Sequence, residues 1–199
     1  MKERRDVTRT KNAIEHAYLE LLFRKGYSRV TVNEVIDLAD VSRGTFYAHY
    51  RDISDLEEKV EDKAVKALRE ACETDEAFDI EMIARTRLGC VFDLFYSFRD
   101  DFKLLLLADN NTKMINKVRT VLVEAMEHSS TMDLMTQRIG RVKASLILES
   151  IAGCFVAGFI NLMKNENEIN RDVAVELMSD LISGGLERVI EEFGIKEEK

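Results

Sequence analysis

The sequence predicts an all-α protein, with an N-terminal three-helix domain, a larger C-terminal helical domain and about nine helices in all. The 199 residues include no proline, and proline is the residue that most often interrupts helices and marks turns. Apolar residues recur three and four positions apart along most of the chain, which places them on one face of a helix. No segment alternates apolar and polar residues between turn dipeptides, as a half-buried strand does.

The first helix is predicted over residues 8–25. Its apolar residues follow the i, i+3, i+4, i+7 pattern of an amphipathic helix. Gly26 suits its C-terminus, because glycine adopts the left-handed conformation without a steric penalty. The residues expected on its buried face are Ile14, Ala17, Tyr18, Leu21 and Leu22.

Capping residues predict the beginnings of the next three helices. Thr31 and Glu34 have the spacing of a capping box, in which the threonine hydroxyl accepts a backbone N–H and the glutamate returns the contact. Ser42 is placed to cap a third helix and Asp52 a fourth. Two short helices joined by a tight turn are therefore predicted at 31–50, as a helix-turn-helix.

Helical patterns also fill the rest of the chain. They are predicted at residues 78–99, 101–108, 112–128, 137–164 and 171–193. The segment 144–163 is apolar enough to be tested as a membrane span. Because Glu149 interrupts it, we interpret it as a buried core helix rather than a span. The predicted domains are residues 1–51 and 73–199, with the helix 52–72 joining them.

The charge of the chain is unevenly distributed. Its net charge is −8, but residues 1–51 carry a net +3 and residues 52–199 a net −11. A mildly basic N-terminal domain can face an acidic polymer while the acidic remainder repels it. This difference is too small to establish a partner alone, so the interpretation depends on the motif.

The reactive residues predict no catalytic or metal site. Cys72, Cys90 and Cys154 are widely spaced, with no CxxC pair and no histidine at ligand spacing. Each is expected to be a small buried hydrophobe, with a redox-sensing thiol as the alternative. No nucleophile–histidine–carboxylate set or phosphate loop is visible, so we expect neither an enzyme nor a cofactor. The charged N-terminus has no apolar signal segment, which favours the cytoplasm.

The third predicted helix is rich in hydrogen-bond donors. It has no acidic residue between Val41 and Arg51, whereas a solvated surface helix commonly carries glutamate. Gly44 removes a side chain where another surface approaches closely, and Phe46 is the expected inward anchor. Its donors are suited to phosphate oxygens and base edges. They are Ser42, Arg43, Thr45, Tyr47, His49, Tyr50 and Arg51.

The segment TVNEVIDLADVSRGTFYAHY, residues 31–50, resembles the DNA-binding signature of the TetR/AcrR family of bacterial transcriptional regulators. The resemblance covers about residues 8–60. It implies a DNA-binding regulator, in most cases a repressor that a small molecule releases from a palindromic operator. Ile53 departs from the family, which often has a phosphate-binding lysine there; Arg51 or Lys59 are the candidate replacements. Together, the helix content and the resemblance predict these DNA-binding residues: Thr31, Ser42, Arg43, Gly44, Thr45, Tyr47, His49, Tyr50 and Arg51.

The resemblance also implies a homodimer and a ligand pocket. The dimer is expected through the last two helices, about 137–164 and 171–193, where Gly184 and Gly185 either allow close helix approach or are merely tolerated. Glu149 and Asn161, polar groups on an apolar helix, are expected to meet a ligand or a neighbour such as Arg85, Arg87 or Arg141. The candidate pocket residues are Arg85, Phe92, Phe95, Tyr96, Met114, Met126, Glu149, Cys154 and Asn161.

One alternative function stays open. A protein with this fold can act chiefly through protein partners, as a co-activator or a DNA-associated structural factor. The acidic body and Ile53 are compatible with that role. The sequence specifies neither the ligand, nor the operator, nor the sign of regulation.

Overall fold

The computed structural model describes residues 2–26, 29–72, 89, 93, 99–108, 112–127, 130–165 and 167–193. In these residues the regular secondary structure is helical throughout and contains no strand, which confirms the all-α prediction. The described helices, numbered in chain order, are α1 (Lys2–Lys25), α2 (Val32–Ala39), α3 (Arg43–His49), α4 (Ile53–Cys72), α5 (Arg99–Leu107), α6 (Thr112–Glu127), α7 (Ser130–Ile139), α8 (Arg141–Lys164) and α9 (Arg171–Phe193).

Three helix boundaries differ from the sequence prediction, one of them the beginning of α7 at Ser130 rather than at residue 137. α1 begins at Lys2 rather than at residue 8. The expected helix 137–164 is interrupted at Gly140, whose φ of 85° lies in the left-handed region and separates α7 from α8. The Gly140 N–H still donates to the Thr136 carbonyl oxygen at 3.0 Å, which closes α7. The periodicity alone did not reveal this break.

The first compact unit consists of residues 1–66 and 98–115. α1 packs against α2 and α5, and the predicted apolar face of α1 is buried as expected. The Gly26 N–H donates to the Leu22 carbonyl oxygen at 2.7 Å, with a φ of 77° at Gly26, so the predicted C-cap of α1 is confirmed. Residues 98–115 group here rather than with the expected second domain. The functional boundaries at residues 51 and 73 therefore stay a prediction.

The second compact unit consists of residues 67–97 and 116–199. Its longest described helices are α8 and α9. Gly158 of α8 permits their close approach, because a Cβ there would lie 2.7 Å from the Sδ and Cε atoms of Met178. Met132 and Met135 of α7 form a buried cluster with Ala144 and Leu148 of α8. α9 begins after Asn170, whose side-chain oxygen accepts the Val173 N–H at 2.9 Å.

Among the described helices, α8 is the one that is long and apolar enough to cross a membrane. That test considers length and composition only. Eight of its side chains are buried by the packing of this unit, as a core helix requires. They are Ala144, Leu148, Ala152, Phe155, Val156, Phe159, Leu162 and Met163.

Candidate nucleic-acid interface

The beginning of α2 is fixed by the predicted capping box. The Thr31 Oγ1 atom accepts the Glu34 N–H at 3.4 Å, and the Glu34 Oε2 atom accepts the Thr31 N–H at 3.1 Å. Lys25 at the end of α1 also bonds to Glu34. Its hydrogen bond, followed by that of Thr31, lowers the pKa of the Glu34 carboxyl. The cap therefore also ties α2 to α1.

The turn between α2 and α3 has the predicted position. Asp40 adopts the left-handed conformation, with φ 51° and ψ 49°, and the Val41 N–H donates to the Ile36 carbonyl oxygen at 3.1 Å. The Ser42 Oγ atom then accepts the Thr45 N–H at 3.0 Å and lies 2.8 Å from Thr45 Oγ1. The predicted cap of α3 is therefore confirmed.

One side of α3 is anchored in the first unit. Phe46 is completely buried. Its ring lies 5.7 Å from that of Tyr50 and 5.4 Å, edge to face, from that of Tyr47, measured between centroids. A helix of two turns presents few contacts of its own, so this aromatic anchor sets which residues face outward.

The opposite side of α3 is open. Arg43 and Gly44 are exposed, and Tyr47 keeps 48% of its surface. The Arg43 Cζ atom lies 5.9 Å from the centre of the Tyr47 ring, so a cation and a phenol share one exposed face. A Cβ on Gly44 would meet no atom closer than Ser42 Oγ, at 3.8 Å. Packing inside the described chain therefore does not require glycine at this position.

The predicted role of Tyr50 in DNA contact is wrong in this structure. Tyr50 is only 2% exposed, and its hydroxyl donates to Glu15 Oε1 at 3.0 Å. The other oxygen of Glu15 lies 2.6 Å from Lys63 Nζ. Burial, and then the Glu15 charge, raise the pKa of the Tyr50 hydroxyl. Tyr50 is a hydrogen-bond donor, as predicted, but its side chain faces the core. Through Glu15 it connects α1, α3 and α4.

The junction of α3 and α4 is held by a buried carboxylate. Asp52 caps α4 as predicted, since its Oδ1 atom accepts the Asp55 N–H at 2.8 Å. The Asp55 Oδ2 atom accepts hydrogen bonds from the Arg51 N–H and from Lys59 Nζ, both at 2.9 Å. The Lys59 hydrogen bond and then the Arg51 N–H lower the pKa of Asp55 to about 2. Lys59 also donates to the His49 carbonyl oxygen at 3.1 Å.

Asp55 was missed as a site residue, although the sequence contained a signal for it. Arg51, Asp55 and Lys59 are spaced four apart, which places two cations beside one carboxylate on a helix face. Of the other predicted DNA residues, Thr31 caps α2, and the rest lie in α3 or directly beside it in sequence. Thr31, Ser42 and Arg51 are exposed, and Thr45 and His49 are partly exposed.

The predicted pocket is not assembled by the described residues. Arg85, Phe92, Phe95 and Tyr96 lie outside them, as does Arg87. Met114 is fully buried and belongs to the first unit, whereas Met126 packs against the methionine cluster of the second. Cys154 is partly buried.

Glu149 and Asn161 of α8 both have partners among the described residues. Glu149 is exposed and pairs with Arg119 of α6 at 3.4 Å. The Asn161 side-chain oxygen is exposed to solvent and accepts from Asn165 Nδ2 at 3.2 Å. Their assignment to a ligand pocket stays a prediction. Within the described part of the chain, no group of three or more histidine, cysteine or acidic residues is placed to hold a metal ion.

Comparisons with known proteins give a family match for the N-terminal segment and a shared fold for most of the chain. Residues 14–60 match the model of the bacterial regulatory proteins of the tetR family. Solved structures with the same fold include a TetR transcriptional regulator from Streptococcus agalactiae 2603V, with 22% identity over 92% of this chain and 98% of that one, and a TM-score of 0.60.

Two further structures extend the similarity of fold. The fatty acid degradation regulator FadR from Bacillus halodurans has 17% identity over 89% of this chain and 96% of its own, with a TM-score of 0.62. A TetR-like transcriptional regulator from Rhodococcus sp. RHA1 has 17% identity over 89% and 96%, with a TM-score of 0.65. Residues 14–60 of this chain therefore match the tetR family, and the chain shares its fold along most of its length with solved structures of TetR regulators.

Proposed function

We propose that this chain is a cytoplasmic, homodimeric repressor that binds a palindromic operator and leaves it when a small molecule binds. The observation that carries the proposal is the open face of α3, where Arg43, Gly44 and Tyr47 are exposed beside the buried anchor Phe46. A short helix anchored from behind, with donors in front, has the arrangement by which a helix-turn-helix enters the major groove.

The positions of the donors suggest a division of roles. Residues near the N-terminus of such a helix contact base edges, and Arg43 is the first residue of α3. An arginine can bind guanine through two hydrogen bonds. Tyr47 lies one turn later and its hydroxyl is suited to a phosphate oxygen. Gly44, between them, leaves room for the DNA backbone to approach.

The apolar surface of the second unit supports the homodimer. On α8, Val142 is 85% and Leu146 67% exposed; on α9, Leu177 is 61% and Leu181 64% exposed. Residues four apart lie on one helix face, so each helix displays an apolar stripe that solvent does not favour. A second copy is the proposed occupant, because a two-fold operator requires a two-fold protein.

The inducing ligand is proposed to be an apolar metabolite. One structure of similar fold is named as a fatty acid degradation regulator, so acyl thioesters and free fatty acids of graded chain length are the first probes. A ligand lowers the DNA affinity by the ratio of its affinities for the free and DNA-bound forms. The measurement is the operator affinity with and without each probe.

The DNA-binding proposal is tested with the purified protein and labelled duplexes. Fluorescence anisotropy is measured for the upstream DNA of its gene and for a scrambled duplex, at 50 and 200 mM salt. We expect a selective Kd near or below about 10 nM and an affinity that falls steeply with salt. Arg43→Ala and Tyr47→Ala are expected to weaken binding without unfolding the protein.

A folded protein that binds no duplex selectively, including duplexes selected from a random pool, would overturn the proposal. That result would favour the alternative role through protein partners. If selective binding is seen but no probe changes it, DNA recognition stands and induction by these compounds fails.

A further inference from the structure

The beginning of α4 lacks a cation at its first residue. Ile53 occupies that position and is partly buried. Two cations lie nearby in the same unit, Arg51 before the helix and Lys59 within it, and both contact Asp55. Their different surroundings indicate what each one does.

Lys59 is committed to contacts inside the protein. Its Nζ atom donates to the His49 carbonyl oxygen at 3.1 Å and to Asp55 Oδ2 at 2.9 Å. It also lies 5.1 Å from the centre of the Tyr50 ring. The last carbonyl groups of a helix have no partner within the helix, so Lys59 satisfies one of them at the end of α3. Its ammonium group is thereby held against α3.

Arg51 is held at one edge and otherwise open. Its backbone N–H donates to Asp55 Oδ2 at 2.9 Å, and its Nη2 atom lies 3.3 Å from Asp55 Oδ1. The side chain is nevertheless 81% exposed. A guanidinium carries five N–H donors, so one contact with Asp55 orients the group and leaves donors for an outside acceptor.

We propose that Asp55 and Lys59 are positioning residues of the DNA-binding face: Lys59 closes the C-terminus of α3, and Asp55 orients Arg51, which contacts a DNA phosphate. This inference rests on the proposed DNA-binding function and deepens it. Arg51 thus provides, from the loop before α4, the phosphate contact that Ile53 is unable to make. Lys59 supports binding without touching DNA.

The salt dependence of binding separates the two roles. Each phosphate contact contributes about 0.9 to the slope of log K against log salt. Arg51→Gln is expected to lower that slope by about 0.9 per bound protomer and the affinity about five- to tenfold. Lys59→Met keeps the apolar stem over Tyr50 and is expected to weaken binding severalfold with an unchanged slope. Lys164→Gln, which removes a positive charge from the end of α8, is the charge control.

A double-mutant cycle tests the role of Asp55. If Asp55 orients Arg51, Arg51→Gln costs less affinity in an Asp55→Asn background than in the wild type. A purely structural role for Asp55 predicts equal costs. Lys59→Arg is expected to restore most of the affinity lost in Lys59→Met, because it restores a donor to His49. Melting curves of every variant establish that it is folded at the assay temperature.

The outcomes distinguish this inference from the proposed function. A wild-type protein without selective DNA binding overturns both. If the wild type binds selectively, an unchanged slope in Arg51→Gln, or a slope lowered by about 0.9 in Lys59→Met, overturns the division of roles alone. Additive costs in the cycle overturn the role of Asp55. The expected slopes, together with non-additive costs, support all three assignments.

Discussion

The Nζ atom of Lys113 lies 3.0 Å from the Oε2 atom of Glu61, a carboxylate whose side chain has no exposed surface. Glu57 is 3.3 Å from the same ammonium group, so the first turn of α6 is joined to α4 by two charge pairs within one unit. Burial opposes the charge of Lys113, but the hydrogen bonds and charges of Glu61 and Glu57 outweigh it and raise the lysine pKa.

Lys113→Met is expected to destabilise the protein. It removes the cation beside the buried carboxylate of Glu61. The charge pair with Lys113 offsets part of the cost of burying that carboxylate, so its loss destabilises the folded protein. Removing a partner of a fully buried pair costs about 3–5 kcal/mol. Because Lys113 is 56% exposed, solvent screens this pair and we expect a loss of about 2 kcal/mol. Urea unfolding at pH 7, followed by circular dichroism, measures the difference.

Lys11→Met is the matched control, because Lys11 is an exposed lysine of α1. Its free energy of unfolding is expected to stay within about 0.5 kcal/mol of the wild type. Equal stability of the two variants at pH 7 would contradict the assignment.

Tyr47 is exposed and Tyr50 is buried. Replacing each with phenylalanine removes the same hydroxyl group from two different environments. Tyr47→Phe is expected to weaken operator binding about tenfold, because a hydrogen bond to a charged phosphate is lost. Its stability should not change, since 48% of the residue is exposed. Tyr50→Phe loses the bond to Glu15 and is expected to cost about 1–2 kcal/mol of stability.

The two tyrosine variants serve as controls for each other. The DNA affinity, measured by anisotropy, should fall in Tyr47→Phe only. The unfolding free energy, measured in urea, should fall in Tyr50→Phe only. A weaker operator affinity in Tyr50→Phe at a temperature where it is fully folded would restore Tyr50 to the DNA-contacting set. An unchanged affinity in Tyr47→Phe would remove the Tyr47 hydroxyl from it.

The local features of the helix-turn-helix segment and the beginning of α4 were predictable from the sequence. Thr31, Ser42 and Asp52 cap their helices as expected, because each cap depends on residues no more than three positions away. The burial of Phe46 followed from helical periodicity and the apolar character of the ring. Short-range physics therefore placed α2, α3 and the beginning of α4.

The remaining assignments depended on contacts that the sequence does not encode locally. Tyr50 is a hydrogen-bond donor in either setting, and only Glu15, 35 residues earlier, determines that it faces inward. For the same reason the sequence did not indicate the pairing of Glu149 with Arg119, which reaches it from another helix. Polarity indicates that such a group needs a partner, but tertiary packing decides which one.

The pKa of Asp55 predicts an acid-sensitive contribution to stability. The carboxyl titrates at about 2 in the folded protein instead of near 3.8, so folding favours its ionised form. The contribution is fully present above about pH 5 and is lost as the pH falls through the window between these two values. Wild type and Asp55→Asn should therefore differ in unfolding free energy at pH 7, and the difference should shrink as the pH falls toward 2.

Lys59→Met provides a second check of that titration. The Lys59 hydrogen bond is the largest cause of the lowered pKa of Asp55, so without it the carboxyl should titrate at higher pH. The pH at which stability begins to fall is then expected to rise. Chemical-shift titration of the Asp55 carboxyl carbon measures this directly. Identical titration in wild type and Lys59→Met would rule out Lys59 as the main cause.

The exposed leucines of α9 predict an interface between two copies of the chain. Leu177 and Leu181 are 61% and 64% exposed and lie one turn apart. Replacing both with lysine places repelling charges in an apolar contact, so the dimer should dissociate. Light scattering after gel filtration should then give the 22.9 kDa of a single chain, whereas we expect twice that mass for the wild type.

Leu38→Lys is the control, because Leu38 of α2 is also an exposed leucine, at 42%, but lies in the other compact unit. It should leave the mass at the dimer value. The paired α9 substitution should also weaken operator binding by several orders of magnitude, since a monomer holds one half-site and loses the second contact. Dimers that persist in the α9 variant would place the interface on another surface. A monomer that retains the full operator affinity would mean that one copy suffices for recognition.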